Sequence, residues 1–288
     1  MQRLIAVGAV VICIAALLGA CHLPTIAASG LLYPARRQIL PPRPDNCDGR
    51  HFQGDGIRLR GWHCRAAGER RGTVIYLHGT ADNRGSSVGV VRRFTDMGFD
   101  VVAYDSRRHG ESEGDACTYG YFEKRDLRRV IDVLDDGPVV LFGTSLGAAV
   151  ALQEAAGDPR VASVIAIEVF SDLQTIARER ASGFLSESTI RKAFGIAEAR
   201  GGFTIDEVSP VKAAASIRAP VLLIHGAKDV DTPPAHSQRV LAALAGPKRL
   251  ILVDGVGHNH SLSGPGVWAE IDAWIAAVIG SGGGNARH

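Results

Sequence analysis

The feature that most constrains this chain is a series of short, unbroken apolar runs separated by helix-length stretches. TVIYLHG (73–79), VVAYD (101–105), VVLFG (139–143), VASVIAIE (161–168), VLLIHG (221–226) and LILVD (250–254) lack the alternation of a half-solvated strand. Continuous runs of this length suit strands buried on both faces, as in a parallel sheet covered by helices. The segments between them read as those helices. From Tyr121 to Leu134, five apolar residues (Phe122, Leu127, Val130, Ile131, Leu134) fall near one face, and Leu146 to Ala156 is Ala-rich. Val267, Ile271, Trp274, Ile275 and Val278 form an apolar stripe at helical spacing. Strand–helix alternation of this kind predicts an α/β fold with a doubly wound, mostly parallel sheet and helices on both faces. The longest interval without a core strand, about 169–218, is too long for a simple crossover and predicts a small helical lid insertion. No internal repeat is present.

Before the first of these runs the chain changes character twice. Met1-Gln2-Arg3 is followed by seventeen uncharged residues, LIAVGAVVICIAALLGA, ending just before Cys21. One basic residue, an apolar core and a small-residue exit describe a secretory signal peptide over 1–20. A short transmembrane anchor is the competing reading, since seventeen residues lie at the lower edge of what spans a bilayer. Leu18-Gly19-Ala20-Cys21 resembles the lipobox of bacterial lipoproteins, which implies lipidation of Cys21 and a place in the cell envelope, membrane-anchored and facing the periplasm or exterior. Residues 21–50 are Pro-rich and predict an extended tether, leaving 51–280 as the folded domain and 281–288 as a disordered tail. Within the domain, IRLRGWHCRA after Asp55-Gly56 alternates and predicts a strand with one polar face.

Removal of Cys13 with the signal and modification of Cys21 leave Cys47, Cys64 and Cys117, an odd number for an oxidising compartment. Cys47 and Cys64 flank a hairpin, where a bridge fits; three small buried thiols is the alternative. The net charge of +2, with no long basic run, argues against a nucleic-acid partner.

The chemistry centres on FGTSLGA (142–148), where Ser145 sits between Gly143 and Gly147. A chain with 34 Gly in 288 residues produces such a pentapeptide by chance often enough that it needs support. Context supplies it: Ser145 follows a buried strand and precedes an Ala-rich helix, at the carboxyl end of the sheet. A phosphate-binding reading fails, because no GK[ST] follows and no G-x-G-x-x-G comes after the first strand. A serine hydroxyl needs a base, and the base an orienting acid. Asp229 follows the run VLLIHG, and His258 follows the last core run. Nucleophile, acid and histidine thus stand in order on loops at one end of the sheet.

Taken together, LHGT (77–80), YDSRRHGESEG (104–114), YGYFEKRDL (119–127), GTSLG (143–147), EVFSDL (168–173), HGAKDVDTPPAHS (225–237) and GVGHNH (255–260) resemble an α/β-hydrolase-fold serine hydrolase with a small lid. The resemblance runs from about Gly56 to Ile279. It is to the group that includes serine aminopeptidase-like and dipeptidyl-peptidase-like members. It implies Ser145 as nucleophile, Asp229 as acid and His258 as base, with an oxyanion hole from the N–H groups of Thr80 and Leu146. The pair Arg107-Arg108 departs from the family, which has one arginine there, and leaves the local ion pairing open.

Asp231 and His260 compete for the acid and base roles; position relative to HG and the end of G-x-G-H favour Asp229 and His258. The H-x-H pair has no further ligands at metal spacing, so no metal or cofactor is expected. His78 and His225 read as turn-shaping residues. Ser171 and Asp172 read either as substrate contacts or as a helix cap. Trp62, Trp268 and Trp274 read as packing. The lid's apolar positions (Leu173, Ile176, Phe184, Leu185, Ile190, Phe194, Ile196) are expected mostly to pack onto the sheet. The resulting expectation is a serine hydrolase, carboxylesterase-like, acting on a small-molecule acyl substrate of small-to-medium size. Aminopeptidase-type amide cleavage, or a non-catalytic envelope lipoprotein using the fold as a binding scaffold, are the alternatives.

Overall fold

In the computed structural model, residues 22–181 and 183–280 are described; the expected signal peptide, Cys21 and the tail at 281–288 lie outside them. Eight strands form one sheet: β1 (Cys47–Gln53), β2 (Arg58–Cys64), β3 (Gly72–Leu77), β4 (Phe99–Tyr104), β5 (Val139–Thr144), β6 (Val161–Ile167), β7 (Val221–Gly226) and β8 (Lys248–Val253). Their spatial order is β1-β2-β4-β3-β5-β6-β7-β8. Pairing is parallel from β4 across to β8, and antiparallel only where β2 meets β1 and β4. From β3 the chain steps to β4 on one side and then crosses to β5 on the other, continuing outward through β6, β7 and β8, the reversal that a doubly wound sheet requires.

The unbroken apolar runs are explained by the two cores they serve. Ile75, Leu141, Val164 and Leu223 point into one core, and Val74, Val140, Ile165 and Leu222 into the other. The first core is covered by α3 (Glu123–Ile131), α4 (Leu146–Ala155), α7 (Pro210–Ala214) and α8 (Ala235–Ala243), the second by α2 (Val88–Asp96) and α9 (Val267–Gly280). Helix α4 is buried along its whole length, which its Ala content permits. Strand β8 departs from the expectation of double burial: it is an edge strand, and most of its residues are partly or fully exposed.

The lid lies between β6 and β7, as α5 (Leu173–Ala181), α6 (Glu187–Gly201) and α7. Asp172 caps α5 by accepting from the Thr175 N–H at 2.7 Å. Ser171 is buried against His236, its hydroxyl 2.9 Å from Nδ1, so this pair serves as a cap and a packing contact. Phe184 corrects the expected lid packing, since 87% of it is exposed.

The expected extended tether does not hold for residues 22–32 or from Cys47 onward. Residues 22–32 are helical (α1), with Ala28 and Leu32 fully buried in the first core. The Cys117 N–H donates to the Leu32 carbonyl at 2.9 Å and the Tyr119 hydroxyl to the Leu31 carbonyl at 3.0 Å. Proline content suggested extension, but IAASGLL places Ala28 and Leu32 one turn apart on a stripe the core absorbs. Strand β1 likewise begins at Cys47, inside the expected tether. It pairs with β2 so that Cys47 stands opposite Cys64, and the two are disulfide-bonded. Cys117 is a free, buried thiol.

Candidate active site

Ser145 sits at the turn from β5 into α4 with φ 48° and ψ −109°, a conformation costly for a residue with a Cβ. Its backbone is held on both sides, by N–H donation to Ile167 O at 2.8 Å and by its own carbonyl accepting from Ala149. The flanking glycines are there for space: a Cβ on Gly147 would run into the Leu77 carbonyl, and one on Gly143 into the Gly147 backbone. Leu146 opens α4, so its N–H belongs to the first turn, which lacks intrahelical partners. The loop carrying Thr80 comes close to the serine, since a Cβ on Gly79 would lie 3.6 Å from that of Ser145.

His258 follows β8, and its Nδ1 donates to Asp229 Oδ2 at 2.6 Å. Asp229 is buried, and burial alone would raise its pKa. Hydrogen bonds from His225, His258 and the Thr232 N–H overcome this and hold the carboxyl well below the usual range. For His258 burial works toward the neutral form, but Asp229, with Glu168 beyond it, raises the imidazole above the ordinary histidine value. Because Nδ1 is committed to Asp229, Nε2 is the nitrogen left to exchange a proton.

The rivals are placed elsewhere. Asp231 is exposed and supplies its N–H to Asp229 Oδ1 at 3.0 Å, while His260 is exposed and bonded to the His258 carbonyl at 2.8 Å. His78 takes the Ser106 N–H at 2.9 Å. His225 Nε2 lies 2.7 Å from Thr232 O and 3.2 Å from Asp229 Oδ2, so it shapes the turn and also supports the acid. Arg107 forms the buried, bidentate pair with Asp126 at 2.8 and 2.9 Å, whereas Arg108 turns outward over Tyr33. The three tryptophans pack: Trp62 is buried, Trp268 stacks on Phe142, and Trp274 bonds Ser163.

Sequence reasoning missed Glu168. It directly follows β6 with φ 54°, is buried, and lies 3.5 Å from His258 Nδ1. Its carboxylate accepts from Asn259 N at 2.6 Å and from Ser261 Oγ at 2.6 Å and N at 3.2 Å, tying down the loop that carries His258. The available signal was a glutamate closing an otherwise apolar run, VASVIAIE. Glu168, Asp229 and His258 bring ligand-type atoms within 4.8 Å of one another. Every carboxylate oxygen in the group already accepts a hydrogen bond, so the donor set is that of a hydrogen-bonded network, not a cation cage.

Ser145, Thr80 and Arg180 line two adjoining cavities. One, of about 280 Å³, is walled by apolar side chains of α1, α5 and α6, and Arg180 is its one charged lining residue among those described. The other, of about 930 Å³, also contains His258 and Glu168 and is edged by Asp82, Glu179 and Asp231. Of the described non-glycine residues, six have positive φ, and four of them (Tyr119, Ser145, Glu168, Asn259) line these cavities. Strain is thus concentrated at the site.

A two-cored parallel sheet carrying a strained serine, a histidine and a buried aspartate at its carboxyl ends defines a class. The sequence profile of the Alpha/beta hydrolase family matches residues 74–271, and the chain belongs to that family. Among its relatives is the uncharacterized protein YqkD of Bacillus subtilis, 33% identical over 72% of this chain and 70% of that one. The uncharacterized protein YfhR of Escherichia coli K12 is 30% identical over 83% of both. Among solved structures, the Pyrococcus furiosus esterase Pf2001 superposes with a TM-score of 0.69 at 21% identity, over 86% of this chain and 98% of that one. An acylaminoacyl peptidase from Pyrococcus horikoshii gives 0.63 at 15% identity, over 82% and 42%. At these identities the two structures share the fold.

Proposed function

We propose that this protein is a serine hydrolase that cleaves acyl esters of small-to-medium size through an acyl-enzyme on Ser145. The observation that carries the reading is the 2.6 Å Asp229–His258 hydrogen bond in the cleft that Ser145 also lines. In this mechanism the Ser145 Oγ attacks the acyl carbonyl carbon while His258 Nε2 takes the hydroxyl proton. The tetrahedral oxyanion is stabilised by the N–H groups of Leu146 and Thr80. Collapse breaks the bond to the leaving alkoxide, which receives that proton from His258. Water then loses a proton to Nε2 as it attacks the acyl-enzyme, and the proton returns to Ser145 as the carboxylic acid leaves. Asp229, ionised throughout, fixes the imidazole tautomer and favours its charged form.

The ester reading is supported by the two cavities. The smaller is apolar and suits an acyl chain; the larger is polar and suits a leaving group. An α-ammonium in the smaller cavity would meet Arg180 and no carboxylate among the described lining residues. The acylaminoacyl peptidase fold keeps amide cleavage as the second reading. Purified protein assayed on p-nitrophenyl esters and aminoacyl-p-nitroanilides tests it. Esters are expected to turn over faster and Ser145→Ala to lose both turnover and fluorophosphonate labelling. Faster anilide than ester turnover would overturn the ester assignment, and activity retained in Ser145→Ala would overturn the mechanism.

Tethering to an envelope membrane through a lipidated Cys21 is part of the same proposal, on the strength of LGAC at 18–21. Among the described residues, no helix is long and apolar enough to cross a membrane. Mass spectrometry of the mature N-terminus tests the tether; an unmodified end would refute it.

A further inference from the structure

We propose that helix α1 is the chain-length selector of the acyl site, an inference that rests on the serine hydrolase reading above. The smaller cavity begins at Ser145 and Thr80 and is bounded by the lid on one side and by Ala27, Ala28, Gly30 and Leu31 of α1 on another. The lid supplies bulk, with Ile176 from α5 and Phe194 from α6, whereas three of the four α1 residues facing the cavity (Ala27, Ala28 and Gly30) are small and only Leu31 is large. Space on the α1 side therefore exists where Ala27, Ala28 and Gly30 stop at Cβ or earlier. At Gly30 an added Cβ would meet nothing within 4 Å. The wall is also fixed in place. Ala28 and Leu32 are buried in the core, the Leu31 and Leu32 carbonyls accept from Tyr119 and Cys117, and Arg200 of α6 donates to the Ser29 hydroxyl at 3.4 Å. A wall held at four points keeps its spacing when substrate enters.

The chemistry of the lining defines the class of occupant. With Arg180 alone charged, and its guanidinium held by Asp231 O and Thr232 Oγ1 at 3.0 Å each, the cavity takes a linear apolar acyl chain lying along α1. Away from Thr80, Tyr119 and Arg180, a polar acyl group would meet only apolar side chains there. Residues outside the part of the fold that carries the reaction thus determine which acyl group is accepted.

Two measurements test this. Ala27→Phe and Gly30→Leu should each lower the ratio of kcat/KM for p-nitrophenyl octanoate to that for acetate by about tenfold or more, a loss typical of a filled apolar pocket. An octanoate-to-acetate ratio unchanged in variants that still hydrolyse acetate would overturn the proposal. The second measurement needs no variant. A fluorophosphonate bearing an octyl chain with a terminal diazirine is attached to Ser145 of the full chain and irradiated, and the adducts are mapped by mass spectrometry. Adducts within residues 27–31 are expected; their absence on a labelled protein would refute the role of α1. Failure of Ser145 to label at all would instead remove the serine hydrolase reading, and this proposal with it.

Discussion

The Glu168 carboxylate accepts the Asn259 N–H at 2.6 Å, joining two residues that both adopt positive φ and that flank the His258 imidazole. A buried carboxyl group thus holds backbone geometry next to the proposed base. Glu168→Ala leaves the Asn259 and Ser261 donors without their partner, which should destabilise the protein by about 1–3 kcal/mol, measurable by urea unfolding. Its turnover should fall through kcat more than through KM, because the base is mispositioned and no substrate contact is lost. Unaltered kcat would show that the loop holds itself.

His258 also gives a pH signature. In the proposed mechanism only the neutral imidazole accepts the serine proton, and Asp229 and Glu168 raise its pKa above the ordinary 6.5. The acid limb of kcat/KM should therefore have its midpoint above 6.5, with activity lost as pH falls through it. Glu168→Gln removes one of the charges favouring imidazolium, so its limb should move toward lower pH. A limb that stays in place in Glu168→Gln would contradict this electrostatic account.

Asp229 and Asp231 are separable by substitution. Asp229→Asn should reduce kcat by about 10³–10⁴-fold, because the amide can no longer hold the same imidazole tautomer. Asp231→Asn keeps the backbone N–H that serves Asp229, so its turnover should stay near wild type. Reversed outcomes in steady-state assays would exchange the two assignments.

Gly147→Ala drives a methyl group into the Leu77 carbonyl, backbone against which nothing can rotate away. A loss of stability of about 1–3 kcal/mol is expected, together with loss of fluorophosphonate labelling as the turn shifts. Thermal unfolding and labelling read the two effects, and a variant with wild-type labelling would show that the turn tolerates the displacement.

The Cys47–Cys64 bridge closes a hairpin with a sequence separation of 17. Replacing both cysteines with serine should cost about 3 kcal/mol if the effect is mainly on the unfolded chain. Non-reducing peptide mapping should recover the two as one cross-linked species; free thiols at both positions would refute it.

Much of this architecture was legible because each signal was local. Unbroken apolar runs marked β3 to β7, and G-x-S-x-G, placed after one of them, marked the turn at Ser145. Loop position narrowed the acid and base candidates to Asp229 or Asp231 and His258 or His260, and the family resemblance favoured Asp229 and His258. What escaped depended on distant partners. Glu168 looked like the end of an apolar run until Asn259 and Ser261, ninety residues on, came to meet it. Residues 22–32 looked like tether because Pro34, Pro41, Pro42 and Pro44 follow them, and nothing nearby announced that Leu32 would enter the core. Phe184 read as packing because hydrophobicity is visible in a sequence and the direction a loop turns is not. Strand β8 matched the inner strands in composition while occupying the sheet's edge.

The placement of α1 has a practical consequence for anyone preparing the protein. A chain shortened to residues 74–271, the span the family profile matches, retains Ser145, Asp229 and His258. It lacks α1, β1 and β2, so the cavity lined by Tyr119 and Phe170, the proposed acyl groove, loses its α1 wall and would open to water on that side. Such a fragment would be a poor witness to substrate preference: a broad tolerance for long acyl chains measured on it would describe the cut, not the enzyme.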